Sequence, residues 1–416
     1  MKKQITAIFI AAAMGFSVTG CMRADAADLM LGIFPSDFHP MEETQAIAQG
    51  ATLADFAVRM LQSADANDQN TLLSPLSVMY ALAMTTNGAD GETRTQMEQT
   101  LGLEADTLNS FFATYRTLLP QEKACKLRIA NSIWYNDQSD FVPLNGFLQA
   151  NANYYDASLY KTPFDEKTCD DINRWVKKET DGMIPHILDS ISDDAVMYLV
   201  NALAFAAEWG EIYEETQISE NGKFTTENGI ERTVTMMHST ESTYIADENA
   251  SGFLKYYADG ECAFAALLPK EGMSIEAYIA SLNGGALHEM LRVPKNCDVR
   301  VALPQFEIEY STELSAILKE MGMPLAFDSE DADFSKMGNT DEGNLYIGKV
   351  LHETNLSITP KGTVAGAATV VEMECNSVMD VNPYETVNLD RPFVYMLIDC
   401  KTHTPFFIGT MMDPAQ

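Results

Sequence analysis

Residues 197–205 constrain the fold most, because every one of them is apolar except Asn201. Nine residues are too few for a typical buried helix and fit a strand whose two faces are both covered. Such a strand needs helices or a second sheet on each side. The run therefore predicts a layered protein with a fully buried strand near its centre.

The spacing of apolar residues along the rest of the chain predicts an α+β fold. Helical spacing occurs at residues 52–61, 76–85, 92–101, 169–180, 275–283 and 313–321. Strand patterns occur at residues 128–135, 224–268, 299–304, 305–310, 393–398 and 406–411. Helices come first and strands dominate the second half, with no repeat or linker after residue 50. We therefore expect a single domain over residues 50–416.

The helix expected at residues 76–85 has a distinct start and an unusual surface. Ser74 and Pro75 have the residue types of a helix N-cap and a first helical position. The helix is largely apolar all round, so it should be buried on most sides.

The composition excludes several classes of protein. Hydrophobic residues make up 46% of the 416 residues and charged residues 21%, which are values of a globular chain. The net charge of −33 repels phosphate backbones, so we expect no nucleic-acid partner. The sequence contains no nucleophile elbow, no metal-ligand spacing and no phosphate-binding or dinucleotide-binding glycine motif. We therefore expect no enzyme, no cofactor and no metal.

The N-terminus predicts export. Lys2 and Lys3 precede an apolar stretch over residues 5–18, which is typical of a signal peptide. Cys21 follows Val18-Thr19-Gly20, a pattern that resembles the bacterial lipobox, so residues 1–20 would be removed and Cys21 lipidated. Residues 21–49 would then tether the domain to the bacterial cell envelope, on the periplasmic side or on the cell surface. The alternative is an ordinary signal peptide cut near Ala24 or Ala26.

Residues 352–374 combine a strand with a segment that has one small-sided face. The alternating stretch 356–359 is broken at residues 360–362. The side chains on one face of the extended stretch that follows are all small: Thr363, Ala365, Ala367 and Thr369. Such a face could enter a packed sheet without overfilling it. A flexible Ala/Gly loop is the alternative that the composition leaves open.

Four separated blocks of this sequence resemble the serpin family and occur in the family's order. They are residues 70–77 with 88–89 and 91–93, residues 199–205 with Trp209, residues 362–368, and Asn388 with residues 391–393 and 405–409. The resemblance covers roughly residues 50–414. It implies a serpin fold of about eight to nine helices and three β-sheets, a mixed main sheet, and an exposed reactive loop at about residues 360–387.

The resemblance also implies a function, that of a protease inhibitor acting as a suicide substrate. A protease would cleave the exposed loop and form an acyl-enzyme. The freed part of the loop would then insert into the main sheet as a new strand. Residues 362–376 would span roughly 50 Å when extended, at about 3.3 Å per residue. The alternatives are a non-inhibitory serpin that acts as a binding module, or an inhibitor of papain-like cysteine proteases.

Site residues follow from the resemblance position by position. The loop hinge corresponds to Gly362, Thr363, Val364, Ala365, Gly366, Ala367, Ala368 and Thr369. The hydrogen-bonded cluster beneath the sheet, the shutter, corresponds to Ser74, Ser77, Asn201 and His352. Trp209 corresponds to the tryptophan at the head of the insertion path, the breach. Pro360 departs from the Glu usual in the family and would remove a backbone donor from a central strand. Val364 also stands where Glu is common.

The reactive bond is expected between Asn376 and Ser377. Met373, Cys375 and Met379 are rival bait residues, because this segment is longer than in typical members. No Lys or Arg occurs between Gly362 and Arg391, which disfavours trypsin-like targets and favours elastase-like or chymotrypsin-like serine proteases. We expect a monomer whose partners are these proteases and, through the lipid anchor, a membrane.

Overall fold

The structure is a computed structural model that describes most of the chain. It covers residues 26–36, 38–64, 69–119, 125–137, 141–191, 197–339, 344–363 and 384–415.

The described residues contain ten α-helices. They are α1 Glu43–Ala48, α2 Gly50–Ser63, α3 Pro75–Thr86, α4 Gly91–Leu101, α5 Ala105–Leu118, α6 Asn145–Tyr154, α7 Glu166–Glu179, α8 Ile275–Ser281, α9 Gly284–Arg292 and α10 Ser315–Glu320. None of the helices in these parts of the chain has the length and apolar character needed to cross a membrane.

The strands are distributed over the whole described chain. They are β1 Ala27–Asp28, β2 Thr71–Leu73, β3 Cys125–Asn136, β4 Val142–Pro143, β5 Ser158–Thr162, β6 Met197–Glu208, β7 Ile218–Thr225, β8 Glu231–Ala246, β9 Ala250–Tyr256, β10 Cys262–Pro269, β11 Lys295–Pro304, β12 Phe306–Glu313, β13 Gly338–Asn339, β14 Lys349–Thr359, β15 Gly362–Thr363, β16 Glu385–Asn388, β17 Phe393–Asp399 and β18 Thr404–Met411.

These strands form two large sheets and one small pair. The seven-stranded sheet has the order β1-β5-β3-β6-β15-β14-β12. The nine-stranded sheet has the order β16-β11-β8-β9-β10-β17-β18-β2, with β7 beside β8, and β13 pairs with β4. Within the seven-stranded sheet, β3 runs parallel to β5 and β6 runs parallel to β14, whereas the other neighbours are antiparallel. The main sheet is therefore mixed, as expected.

The central strand β6 is covered on both faces, as its apolar run predicts. Leu199, Leu203 and Phe205 belong to the large core shared with α3 and the nine-stranded sheet. Tyr198 and Val200 belong to a second core with Ile172 and Val176 of α7. Two apolar layers thus hold β6 in place, and this strand can leave its neighbours only as part of a packed unit.

Helix α3 lies between the two large sheets. It contacts β6 of the seven-stranded sheet and β18 of the nine-stranded sheet, and all twelve of its residues are buried. The expectation of a helix buried on most sides is confirmed. Ser74 occupies the N-cap position, but its side chain makes no capping hydrogen bond and its Oγ donates to the Phe406 carbonyl oxygen instead.

Other predictions of individual elements were less complete. The sequence patterns missed α5, α6, α9 and β5. The helix expected at residues 313–321 is shorter, because Glu313 still belongs to β12 and pairs with Leu351. The Glu313 carboxylate accepts a hydrogen bond of 2.8 Å from the backbone N–H of Ser315, the residue at which α10 begins.

The segment before residue 50 packs against the folded body. Residues of β1 pair with β5, in the register Ala27 to Lys161, and the ring of Phe38 lies 5.5 Å from that of Tyr154. Leu29, Ile33 and Met41 contact the main core. The expectation of a tether over residues 21–49 therefore needs correction where these side chains pack on the body, although Leu31 and Phe34 of the same segment stay exposed.

Candidate functional site

The centre of the seven-stranded sheet is divided into a closed part and an open part. In the closed part, β6 and β14 pair in parallel over residues 198–202 and 349–353. Further along, β15 lies between the two strands, with Thr363 opposite both Ala207 of β6 and Ile358 of β14. We name the diverging ends, residues 203–208 of β6 and 354–359 of β14, the split. A third strand, antiparallel to both neighbours, begins at the mouth of the split.

The turn that leads from β14 into β15 is held by hydrogen bonds to its three carbonyl groups. The Trp209 indole Nε1 donates to Thr359 O at 2.8 Å, and the Trp209 backbone N donates to Lys361 O at 3.0 Å. The backbone N of Tyr213 donates to Pro360 O at 2.9 Å. This turn directs the chain back into the sheet.

Pro360 lies in this turn and not in a strand, because β15 begins at Gly362. The backbone donor that a proline lacks is therefore not missing from a sheet ladder. The sequence-based concern about Pro360 does not apply at this position.

Trp209 sits in a stack of aromatic rings beside the split. Its ring lies parallel to that of Tyr257, with 4.5 Å between the centroids and an angle of 8°. The Lys255 ammonium lies 5.5 Å from the Trp209 ring and 4.5 Å from the Tyr213 ring, and it pairs with Glu241 at 2.9 Å. Only 2% of the Lys255 side chain is exposed. A buried ammonium group needs attractive interactions that offset its loss of hydration. Glu241 and the two aromatic rings provide them, so Lys255 can stay buried against the Trp209 ring.

The first two hinge residues already belong to the sheet. Thr363 is fully buried, and its Oγ1 shares a hydrogen bond with the Tyr257 hydroxyl. At Gly362 a Cβ atom would overlap the carbonyl oxygen of Ala207 and the Cα of Glu208. The small side chains at these two positions are thus required by contact with β6 and with the core.

Three of the four expected shutter residues meet at the closed part of the sheet. The backbone N of Ser74 donates to His352 Nε2 at 3.0 Å. His352 lies opposite Asn201 in the β6–β14 pairing, and Asn201 Nδ2 donates to Asn131 Oδ1 of β3. The Asn201–Asn131 pair explains how an amide is tolerated in an apolar strand.

Ser77 differs from the other three. It is buried on α3, and neither its Oγ nor Asn201 Oδ1 has a hydrogen-bond partner within the described part of the chain. A buried polar group without a partner costs about 1–3 kcal/mol. The polar groups of this cluster are therefore only partly satisfied in the closed sheet.

Sequence reasoning missed several residues of this site. Tyr257, Lys255 and Glu241 surround Trp209, and Asn131 completes the polar cluster. Lys255 and Asn131 each interrupt an otherwise strand-like stretch, as Asn201 does, and that interruption was the available signal.

Some predicted residues lie outside the described part of the chain. They are Cys21, the hinge residues Val364, Ala365, Gly366, Ala367, Ala368 and Thr369, and the bait residues Met373, Cys375, Asn376, Ser377 and Met379. Among the residues that are described, no cluster of His, Cys, Asp or Glu has the arrangement of a metal site.

Comparisons with known proteins identify the family to which this fold belongs. A family model described as Serpin (serine protease inhibitor) matches residues 51–414. An uncharacterized serpin-like protein of Thermococcus kodakarensis is 30% identical over 357 residues, which are 84% of this chain and 82% of that protein. Thyroxine-binding globulin of Pan troglodytes is 27% identical over 376 residues, which are 87% of this chain and 89% of that protein.

Solved structures show the same fold. The crystal structure of a thermophilic serpin, Tengpin, in the native state has a TM-score of 0.86 at 42% identity, over 94% of this chain and 100% of that one. Tengpin in the latent state has a TM-score of 0.77 at 40% identity, over 91% and 100% of the two chains. The chain belongs to the serpin family and has the serpin fold.

The environment of His352 predicts a pH dependence of stability. Burial lowers the pKa of this imidazole from 6.5 to about 4, and its Nε2 must stay unprotonated to accept from Ser74. Between pH 6.5 and 4 the unfolded chain therefore binds a proton that the folded chain does not. The folded state should lose up to about 3 kcal/mol as the pH falls through this window.

Denaturant unfolding at pH 7 and pH 4.5 measures this effect. His352→Gln keeps a neutral hydrogen-bond acceptor without the titration, so its stability should fall less over the same interval. Equal losses in the two proteins would contradict the assignment.

Proposed function

We propose that this protein inhibits serine proteases as a suicide substrate, by inserting its cleaved reactive loop between β6 and β14. The observation that carries this proposal is the position of β15, which lies between two parallel strands and runs antiparallel to both. Because the turn before β15 is fixed and Thr363 already pairs with both strands, insertion of the cleaved loop would continue from Thr363 into the split.

The proposed mechanism uses the chemistry of the protease. The catalytic serine of the target attacks a carbonyl carbon in the loop, forms an ester, and releases the new amino terminus of the downstream segment. The upstream segment, now free at one end, adds to the sheet as a strand. The protease is carried along by its ester bond, and a displacement of about 1 Å in its active site already slows its chemistry by roughly 10²-fold.

The inserted strand has suitable neighbours on both sides. Insertion would replace one parallel pairing with two antiparallel ones, which are somewhat more stable per residue. Thr363 faces the core beside Ile358 and Tyr257. Since alternate residues of a strand share a face, Ala365, Ala367 and Thr369 would follow Thr363 into the same interior, where small side chains fit.

The shutter cluster would control how easily the closed part opens. Asn201 and His352 lie opposite each other, so a strand can pass between β6 and β14 only if these two residues separate. Asn201 would move together with its partner Asn131. His352 would stay hydrogen-bonded to Ser74, so that the distance between Asn201 and His352 increases. We therefore assign the opening of the closed part to Asn201 and His352.

The target class and the location are part of the proposal. The lack of Lys and Arg between Gly362 and Arg391 favours elastase-like or chymotrypsin-like proteases, with Asn376–Ser377 as the bond and Met373, Cys375 and Met379 as rivals. Export, lipidation of Cys21 and a place in a bacterial cell envelope rest on the N-terminal pattern. Members of this family are generally inhibitors and not catalysts, so we propose no enzymatic activity, and no cofactor.

A non-inhibitory binding module is the second candidate. The similarity to thyroxine-binding globulin, 27% identical over 376 residues, supports it, because that serpin is non-inhibitory.

A panel of elastase-like, chymotrypsin-like, trypsin-like and papain-like proteases separates these candidates. The inhibitor should form a complex with a serine protease that survives hot detergent, and mass spectrometry of the released fragment locates the cleaved bond. Cleavage by every protease with no stable complex would contradict inhibition and favour the binding module.

A charge at Thr363 should convert the inhibitor into a substrate. Thr363→Arg places a guanidinium group in a fully buried position that faces Tyr257, and a buried charge without a partner costs several kcal/mol. The yield of stable complex per cleaved inhibitor should fall more than about tenfold.

Thr363→Ser is the matched control, because it keeps the hydroxyl and stays small. This variant should trap the protease almost as well as the parent protein. Unchanged trapping by Thr363→Arg would contradict insertion at the split.

A further inference from the structure

Two buried thiols meet between the two large sheets. The Sγ atoms of Cys125 and Cys262 lie 3.4 Å apart, and both residues are fully buried. Cys125 is the first residue of β3 in the seven-stranded sheet, and Cys262 is the first residue of β10 in the nine-stranded sheet. A disulfide bond between them needs the sulfur atoms to approach by only a little over 1 Å, since the S–S bond is about 2 Å long.

The two thiols lie beside the mouth of the split. Cys125 pairs with Ala207 of β6, and Ala207 pairs with Thr363 on its other side. The backbone N of Tyr257 donates to Cys262 O at 3.1 Å, and the Tyr257 hydroxyl bonds Thr363. A single residue therefore separates each cysteine from Thr363. Ala207 lies between Cys125 and Thr363, and Tyr257 lies between Cys262 and Thr363.

We propose that Cys125 and Cys262 form a disulfide bond that ties β3 to β10 and slows the separation of β6 from β14. The bond itself is independent of the protein's activity, whereas its effect on strand separation rests on the proposed inhibitory function.

The restraint follows from how the strands are paired. β3 and β6 pair without interruption from Cys125 opposite Ala207 to Tyr135 opposite Met197. These two strands must therefore move together when β6 separates from β14. A covalent bond at the first residue of β3 fixes one end of this unit to the nine-stranded sheet, at the end where the loop enters.

The chemistry requires an external oxidant, and we assign this role to a small-molecule disulfide such as oxidised glutathione. One cysteine thiolate attacks the oxidant, which releases one reduced thiol and leaves a mixed disulfide. The second thiolate displaces the other reduced thiol and closes the Cys125–Cys262 bond. Two protein thiols are oxidised and one oxidant disulfide is reduced.

The reaction should take place while the chain folds. A hydrogen bond with Cys125 and burial both raise the pKa of the Cys262 thiol, and only the thiolate reacts. The folded, reduced protein should therefore react slowly, whereas refolding in the presence of the oxidant should form the bond readily.

Peptide mapping tests the bond directly. The protein is refolded with oxidised glutathione, its free thiols are blocked with iodoacetamide, and it is digested without reductant. We expect a Cys125–Cys262 linked peptide whose mass is lower by two hydrogen atoms than that of the two thiol peptides together. Both cysteines alkylated after unfolding, with no linked peptide, would overturn the proposal.

Three variants control this experiment. Cys125→Ala and Cys262→Ala should each abolish the linked peptide. Cys169→Ala removes another buried thiol, which lies on α7 and donates to Leu188 O, and it should leave the linked peptide unchanged. A linked peptide that is lost in Cys169→Ala would overturn the assigned pairing.

The restraint is tested by the rate of the tryptophan fluorescence change after loop cleavage, since Trp209 holds the turn before β15. The oxidised protein should change about tenfold more slowly than the same protein reduced with dithiothreitol. Cys125→Ala should behave like the reduced protein under both conditions. Equal rates in the oxidised and reduced parent protein would overturn the restraint.

The readouts distinguish this proposal from the inhibitory function. The linked peptide requires no protease target. If neither the oxidised nor the reduced protein traps any protease, the proposed function fails while the disulfide bond stands.

Discussion

The parallel pairing of β6 with β14 is the interaction on which the rest of the structure depends. Two parallel neighbours in the middle of a sheet leave a place for a strand that is antiparallel to both, and β15 already occupies the mouth of that place. Apolar layers cover both faces of β6, so the sheet cannot simply come apart. The parallel pairing of β6 with β14 therefore stands beside two short antiparallel pairings with β15, which the proposed mechanism would extend.

Two groups of contacts, one at the mouth of the split and one at the closed part of the sheet, would control loop insertion under the proposed mechanism. Trp209 and Tyr213 bind the three carbonyls of the turn before β15, and the stacked Tyr257 and the buried Lys255 support them. At the other end, His352 and Asn201 form part of the closed pairing. Under the proposed mechanism, the first group directs the loop into the sheet and the second resists its progress. The intact molecule would then be stable for kinetic reasons.

Sequence patterns identified the parts of the fold that are determined by residues close together in the chain. The apolar run with Asn201 fixed the buried strand, and the break at residues 360–362 is the turn into β15. The positions of Ser74, Asn201 and His352 came from family resemblance. Lys255 with Glu241, Asn131 with Asn201, and Cys125 with Cys262 could not be paired from the sequence, because strand register and the contact between sheets bring these partners together across long separations. The packing of residues 26–49 was missed for the same reason.

The most direct measurement of this account compares the melting temperatures of the intact protein and of the protein cleaved once in its reactive loop. If cleavage releases the loop to complete the strand that Gly362 and Thr363 begin, the cleaved form gains two ladders of hydrogen bonds and should melt at a clearly higher temperature. Identical melting temperatures of the two forms would contradict the claim that the intact sheet is kinetically trapped.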